Sequence, residues 1–343
     1  MRCSTLAQAL AAGACALGCH HAVPVDARSA VVPSGSTGQK SIIVLALQTA
    51  QSRPDCTNAA LDTTLFSGPL SIARFYRENS YDLLRLSGMV TGPFSISIGD
   101  RCDRLAWADS ADSAASAAGI DVSVYTFKLY VEPRETRSLC RYGGDGTIRG
   151  SRQWVRSDFC DSEHVIAFSL GLNLGVPVGE TPGDHWGDVS TAMGGYVRPS
   201  DTSSLTLRHS MVHFNAPQKI SLGWVPPKNV QNVASAGAFR IAVLDRPSHR
   251  VQVLRVKAGD TEQDYYYLSY RRAVGFSSDL RTAYADKTSV TRRGGISGPN
   301  NTTLLGTLGD GQSFTNEWGL TVTQTRHDAS YAYVAVSFAR PSR

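Results

Sequence analysis

The stretch HVIAFSLGLNLGVPV, His164 to Val178, constrains the fold more than any other part of the chain. Asp161 or Ser162 can cap a helix there, Glu163 suits its first turn, and Gly175 can close it in a left-handed conformation. From Val165 to Leu174 almost every position is apolar, so the helix has no face to offer water. It has to be a central element with other elements packed around it. The chain can supply them: 343 residues, 42% of them apolar, are enough for about two domains.

Charge narrows the partners. A net charge of +5 is mild for this length, and the pairs Arg271-Arg272 and Arg292-Arg293 read as solvated surface, so no nucleic-acid partner is expected. The first 26 residues put one Arg before a small-residue apolar stretch too short to span a bilayer, which reads as a secretory signal. Its ALGC ending at Cys19 opens an alternative, lipid anchoring through that cysteine. No transmembrane segment is expected. Residues 27–40 read as a linker.

Cys3, Cys15 and Cys19 fall in the signal region, leaving Cys56, Cys102, Cys140 and Cys160 for the mature chain. An even number in a secreted chain predicts two disulfides. Of three possible connectivities, Cys56 with Cys102 and Cys140 with Cys160 is the expectation, because each pair closes a loop within one segment. No CxxC spacing supports a zinc site from these four. Asn300 and Asn301 each begin an N-x-T sequon in what reads as a Gly/Pro-rich loop, and are candidate glycosylation sites in a eukaryotic host.

SIIVLALQT reads as a buried strand, SIARFYRENS as a helix with Ile72, Phe75 and Tyr76 on one face, and the alternation at Phe94, Ile96 and Ile98 as a strand. WADSADSAASAAG reads as a surface helix ending at Gly119, and VYTFKLYVEP as another strand. This order predicts an α/β layer. Beyond Trp224 and the paired Pro226 and Pro227, helical periodicity gives way to short β-rich runs, FRIAVL, VQVLRV, DYYYLSYRR, GLTVTQT and YAYVAVSF, the pattern of an antiparallel β-sandwich. The expected boundary lies near residue 230.

Residues 168–178, FSLGLNLGVPV, resemble the zinc helix of metzincin proteases, H-E-x-x-H-x-x-G-x-x-H, and specifically of the gametolysin-type peptidases, whose helix runs H-E-L-G-H-N-L-G. Leu170, Gly171, Asn173, Leu174 and Gly175 keep the family residue. HWGDVSTAMGG resembles the family's Y-G-D-x-S-x-x-M-G, which makes Met193 the Met-turn residue. HFNAPQKISLGWV resembles N-A-P-x-K-x-x-L-G-W, through Asn215, Ala216, Pro217, Lys219, Leu222, Gly223 and Trp224. FYRENSYDLLRLSGMVTGPF, YYYLSYRRAVGF and LGDGQSF extend the likeness over most of residues 41–338. The resemblance implies a metzincin-like domain over 41–230, of mixed sheet plus central helix, followed by a β-sandwich domain over 231–343.

The functional positions depart from the pattern. Phe168 and Leu172 replace two histidines, Ser169 the general-base Glu, and Val178 the third histidine; Ser269 and Ser277 stand where relatives carry Glu and Asp. Zinc needs lone-pair donors at about 2.0–2.3 Å, and Phe, Leu and Val have none. An unactivated hydroxyl is a poor base near neutral pH. The expectation is therefore a secreted pseudoprotease without zinc, its three apolar side chains packed as a plug, acting by binding a protein or glycan partner at a cell surface or matrix.

Two alternatives belong to other classes. An active metalloendopeptidase would need substitute ligands from His164, His185, Asp184 and Asp188, or from His209 and His213, four apart on a possible helix face. A serine hydrolase would read Ala167, Ser169 and Gly171 as a variant nucleophile elbow, with Asp245 or Asp279 and His327 completing a triad.

Overall fold

The computed structural model describes residues 35–195, 211–257, 265–295 and 298–339. The signal segment with Cys3, Cys15 and Cys19, most of the expected linker, and His209 lie outside the described residues.

Strand β1 (Gly38–Gln48) is buried on both faces, which its unbroken apolar run requires. Its odd and even residues feed two different cores. Ile42, Val44 and Ala46 join a cluster with the central helix, while Ile43, Leu45 and Leu47 join one with the Ala-rich helix on the opposite face. Three of the residues expected as linker, Gly38, Gln39 and Lys40, already belong to β1, and the Ser36 carbonyl accepts from Trp224 Nε1 at 2.8 Å. The linker reading fails there because backbone pairing and one indole satisfy a segment that has little apolar surface of its own.

After β1 come α1 (Asn58–Asp62), α2 (Ile72–Asn79), β2 (Leu84–Ser95), α3 (Arg104–Ala117), β3 (Phe127–Val131), β4 (Gly144–Gly146) and β5 (Arg152–Val155). They build a five-stranded sheet in the order β2-β1-β3-β5-β4, parallel except for the edge strand β4. The second expected strand is displaced toward the N-terminus: β2 ends at Ser95, before Ile96 and Ile98, because its partners on β1 run out at Gln48.

The central helix α4 (Glu163–Asn173) follows, then β6 (Gly179–Glu180) and α5 (Ala216–Ser221). Nine strands complete the chain: β7 (Val230–Val233), β8 (Gly237–Ala242), β9 (Val253–Lys257), β10 (Tyr265–Arg271), β11 (Lys287–Gly295), β12 (Gly298–Leu308), β13 (Ser313–Thr315), β14 (Leu320–His327) and β15 (Tyr331–Phe338). Together with β6 they form a six-stranded sheet, β6-β12-β11-β10-β9-β7, and a four-stranded one, β13-β14-β15-β8. One apolar cluster draws Val256, Leu268 and Val290 from the first sheet and Ile241, Val322 and Val334 from the second. The protein is thus a mixed α and β fold. Strand β6 joins its halves directly, since Gly179 and Glu180 pair in parallel with Thr302 and Thr303 of β12.

The disulfides are Cys56–Cys160 and Cys102–Cys140, which corrects the expected pairing. In a parallel sheet the chain leaves each strand at the same end. The loop after β1, with Cys56, therefore meets the loop after β5, with Cys160, and Ser157 Oγ donates to Asp55 Oδ2 there at 2.7 Å. Sequence proximity was the wrong guide. Asn300 and Asn301 also sit differently from expectation, within strand β12 and not in a loop.

Candidate functional site

Helix α4 starts where Ser162 Oγ accepts from the Val165 amide. It ends in paired bonds, Val176 N to Gly171 O and Gly175 N to Leu172 O, each 2.9 Å, with Gly175 at φ +79°. That turn reverses the chain toward β6. The neighbours approach the helix closely because the sequence supplies small residues. A Cβ on Gly171 would lie 2.3 Å from Met193 Sδ, one on Gly144 2.6 Å from Ser169 Oγ, and one on Gly146 2.4 Å from the Ser169 carbonyl. Tyr76 Oη donates to the Ala167 carbonyl at 2.6 Å, and Asn173 Nδ2 donates to the carbonyls of Thr147 and Arg152 at 2.9 and 2.8 Å. Met193 thus lies buried directly beneath the helix, with the edge strand β4 against its flank.

The four positions that would carry metal chemistry hold other roles. Leu172, 9% exposed, is part of the main core, and Phe168 packs against that core and edge-on to Trp186, with centroids 5.3 Å apart. Val178, also 9% exposed, is not part of the same cluster; its carbonyl accepts from the Thr302 amide at 2.9 Å, which draws it toward β12. Of the three apolar side chains expected to form a plug, Phe168 and Leu172 share that core and Val178 is buried outside it. Ser169 Oγ donates to the Val165 carbonyl at 2.9 Å inside the helix. This donor set does not fit zinc, since none of the three ligand positions offers a lone pair and the base position offers a hydroxyl bound to its own backbone.

A cavity of about 440 Å³ remains beside these residues, lined by His164, Val165, Phe168 and Trp186, by Arg141 to Gly144 ahead of and into β4, and by Gly194 and Gly195 after Met193. Trp186 is 43% exposed at its mouth. The substitute ligands are dispersed around it. His185 Nδ1 lies 2.7 Å from Glu180 Oε1, and that buried carboxylate also accepts from Asn301 Nδ2 at 2.7 Å. Asp184 accepts from the Trp186 amide at 3.0 Å. Asp188 accepts from the Ser190 amide and hydroxyl and from Asn215, and burial raises its pKa above the usual carboxylate range. Among the described residues, no three His, Cys, Asp or Glu side chains are grouped so as to hold a metal ion.

A sequence profile of the gametolysin peptidase M11 family matches residues 40–297. The chain belongs to that family. No curated protein matches it. The sequence likeness of α4, the Met193 segment and the HFNAP segment is therefore kinship. Among gametolysin-type peptidases this chain carries apolar residues where the family's motif has histidines.

The serine-hydrolase alternative is overturned by the same helix. A nucleophile elbow needs its serine on a turn between strand and helix, whereas Ser169 is mid-helix and fully buried. Its proposed partners are engaged elsewhere: Asp245 with Arg271 and Ser277, His327 with Asp310, while Asp279 is exposed.

Sequence reading missed a buried polar network behind the core, and Arg271, expected as solvated surface, is buried within it, because Asp245 pairs with its guanidinium. His213 is not on a helix face, as its spacing from His209 had allowed; it lies in the irregular stretch before α5. Its Nε2 lies 3.1 Å from Glu78 Oε1 and its Nδ1 3.3 Å from Lys219 Nζ. Lys219 also sits 4.2 Å from the Tyr81 ring centroid, and Arg271 donates to Asp245 at 3.0 Å and to the carbonyls of Ser190 and His213. Burial above all, then Lys219 and Arg271, holds the His213 pKa well below the ordinary imidazole range. Ser277 donates to Asp245 at 2.9 Å and accepts from the His213 amide. In sequence, the HFNAPQK stretch carries two members of this network, His213 and Lys219.

Proposed function

We propose that this chain is a non-hydrolysing member of the gametolysin family that captures an extended polypeptide in the cleft beside α4. The reading takes residues 41–230 as a metzincin-type domain and 231–343 as a β-sandwich domain, and a mixed sheet with one antiparallel edge strand supports the first assignment. One observation carries it: the side chains at the metal and base positions have lost their donors, yet a cavity of about 440 Å³ persists next to β4, the strand that ends the sheet. A terminal strand can pair with an added one. A peptide laid along β4 would present a side chain to Phe168 and Trp186, and the partner would be an extracellular or matrix protein. The two disulfides suit an oxidising, extracellular location, and no helix among the described residues is long and apolar enough to cross a membrane.

The test combines elemental analysis, casein and gelatin cleavage with and without chelator, and a peptide-library screen read by tryptophan fluorescence. The expected result is no stoichiometric transition metal, no chelator-sensitive cleavage, and a fluorescence change that Trp186→Phe abolishes. Chelator-sensitive cleavage with one tightly held metal ion per molecule would sink the proposal in favour of an active metalloendopeptidase. A screen in which no peptide perturbs Trp186 would remove the binding role.

A further inference from the structure

Away from that cleft, α2 and the β2 edge of the sheet enclose a second concavity, of about 250 Å³, lined by Gln39, Ala73, Arg74, Arg77, Arg85 and Leu86. Its charge is one-sided. Arg74 and Arg77 lie three apart on α2, so both project from one face of that helix. Arg85 reaches the same space from β2, where it pairs in register with Gln39 of β1.

The loop between α2 and β2 holds two of these guanidiniums together. Tyr81 and Asp82 both adopt left-handed backbone conformations, φ +56° and +68°, which carries the Asp82 carboxylate between them. Asp82 Oδ1 accepts from Arg77 Nε at 2.7 Å and Arg85 Nε at 3.1 Å, and Oδ2 accepts from Arg85 at 2.6 Å. The paired guanidiniums hold the Asp82 carboxyl down at about 2, so the clamp persists at any physiological pH. Each guanidinium has five N–H donors, and Asp82 uses one of Arg77's and two of Arg85's. Arg74 has no hydrogen bond or ion pair among the described residues. Three guanidiniums against one carboxylate leave a net charge of +2 around the concavity.

Exposed ion pairs of this kind contribute little to stability, so folding alone does not account for gathering three arginines here. Planar forks with unused donors, held in place and converging on a hollow, are the arrangement that recognises tetrahedral oxyanions. We propose that the Arg74–Arg77–Arg85 concavity binds a sulfate or phosphate group, with Arg74 completing a three-sided cradle whose other two sides Asp82 fixes. The hollow takes the oxyanion and part of whatever bears it, and its openness to solvent admits an ester group on a longer molecule as readily as the free ion. This site shares no residue with the cleft and stands whether or not the proposed function does.

The experiment titrates the full-length protein, labelled with ¹⁵N, with inorganic sulfate, inorganic phosphate and dextran sulfate, following the arginine Nε–H resonances. Saturable shifts at Arg74, Arg77 and Arg85 are expected. Arg74→Ala, at an exposed position without a structural bond, is expected to weaken binding roughly three- to tenfold, the range for losing one partly exposed charge-assisted hydrogen bond. Arg74→Lys keeps the charge without the fork and is expected to recover part of that loss. Arg292→Ala, on the exposed part of β11, removes the same net charge elsewhere and is expected to change nothing. If dextran sulfate binds tighter per sulfate than the free ion, the site takes a polymer-borne ester; equal potency supports a free anion. Arg74→Ala and Arg292→Ala behaving alike, or no shift at the three arginines, would overturn the proposal.

Discussion

Restoring histidines at the three apolar positions is the most direct test of how α4 and the turn after it are arranged. Phe168 and Leu172 are four apart on one helix face, and the left-handed turn at Gly175 brings Val178 back toward the Met193 segment, where Gly179 N donates to Met193 O at 2.9 Å. Phe168→His, Leu172→His and Val178→His together therefore rebuild a tridentate site only if the three Cβ atoms converge. The apo cost follows from burial: Leu172 and Val178 are each 9% exposed, and giving up a buried aliphatic costs about 1.5–3 kcal/mol. The metal-free variant is thus expected to lose about 3–6 kcal/mol, plus a smaller amount for the half-buried Phe168. Zinc at a hundredfold excess over its dissociation constant returns about 2.7 kcal/mol. At about 1.4–2 °C per kcal/mol for a chain of this length, the melting temperature is expected to rise by about 4–5 °C on adding zinc, with one zinc per molecule by elemental analysis. The parent protein is expected to show no such rise. The helix-only pair Phe168→His/Leu172→His serves as a milder version should the triple variant fail to fold. A folded variant whose melting temperature ignores zinc would refute the inferred geometry.

Other outcomes follow from features already described. Because the folded His213 pKa lies below its unfolded value near 6.5, the unfolded chain binds the extra proton first, and stability falls as pH drops from about 6.5 toward the folded pKa, by about 1.4 kcal/mol per pH unit. Denaturant titrations between pH 7 and 5 are expected to show a shallower slope in His213→Asn, and an equal slope would contradict the assignment. Removing Cys56–Cys160, which closes 104 residues, is expected to cost about 4–5 kcal/mol, and removing Cys102–Cys140, which closes 38, about 4 kcal/mol; peptide mapping under non-reducing conditions checks the pairing itself. Gly175→Ala, forced to φ +79° with its Cβ 2.6 Å from Arg149 Cγ, is expected to cost about 1–2 kcal/mol by chemical denaturation. Expressed in a glycosylating host, the chain is expected to carry glycan on exposed Asn300 and none on Asn301, whose Nδ2 is bonded to Glu180, as glycopeptide mass spectrometry would reveal.

By itself the sequence determined the elements whose signals are local. The all-apolar helix with Ser162 and Gly175 at its ends, the buried strand after the linker, the Ala-rich helix and the β-rich C-terminal half follow from periodicity, capping and turn chemistry, which act over a few residues. The absence of lone pairs at Phe168, Leu172 and Val178 is likewise a property of side-chain type that no fold can alter. What only the tertiary structure decided depends on residues far apart in the chain. Parallel strands leave the sheet at one end, so Cys56 meets Cys160 instead of its neighbour in sequence. Val178 is tied to Thr302 of β12 through a backbone bond, a partner 124 residues away that nothing around Val178 announces. His213, Lys219, Asp245 and Arg271 form one buried network, with Glu78 at its partly exposed rim, only because α2, α5 and β10 pack together; a charged residue announces in sequence that it needs a partner but not which one, since that choice is made by the topology that brings distant segments into contact.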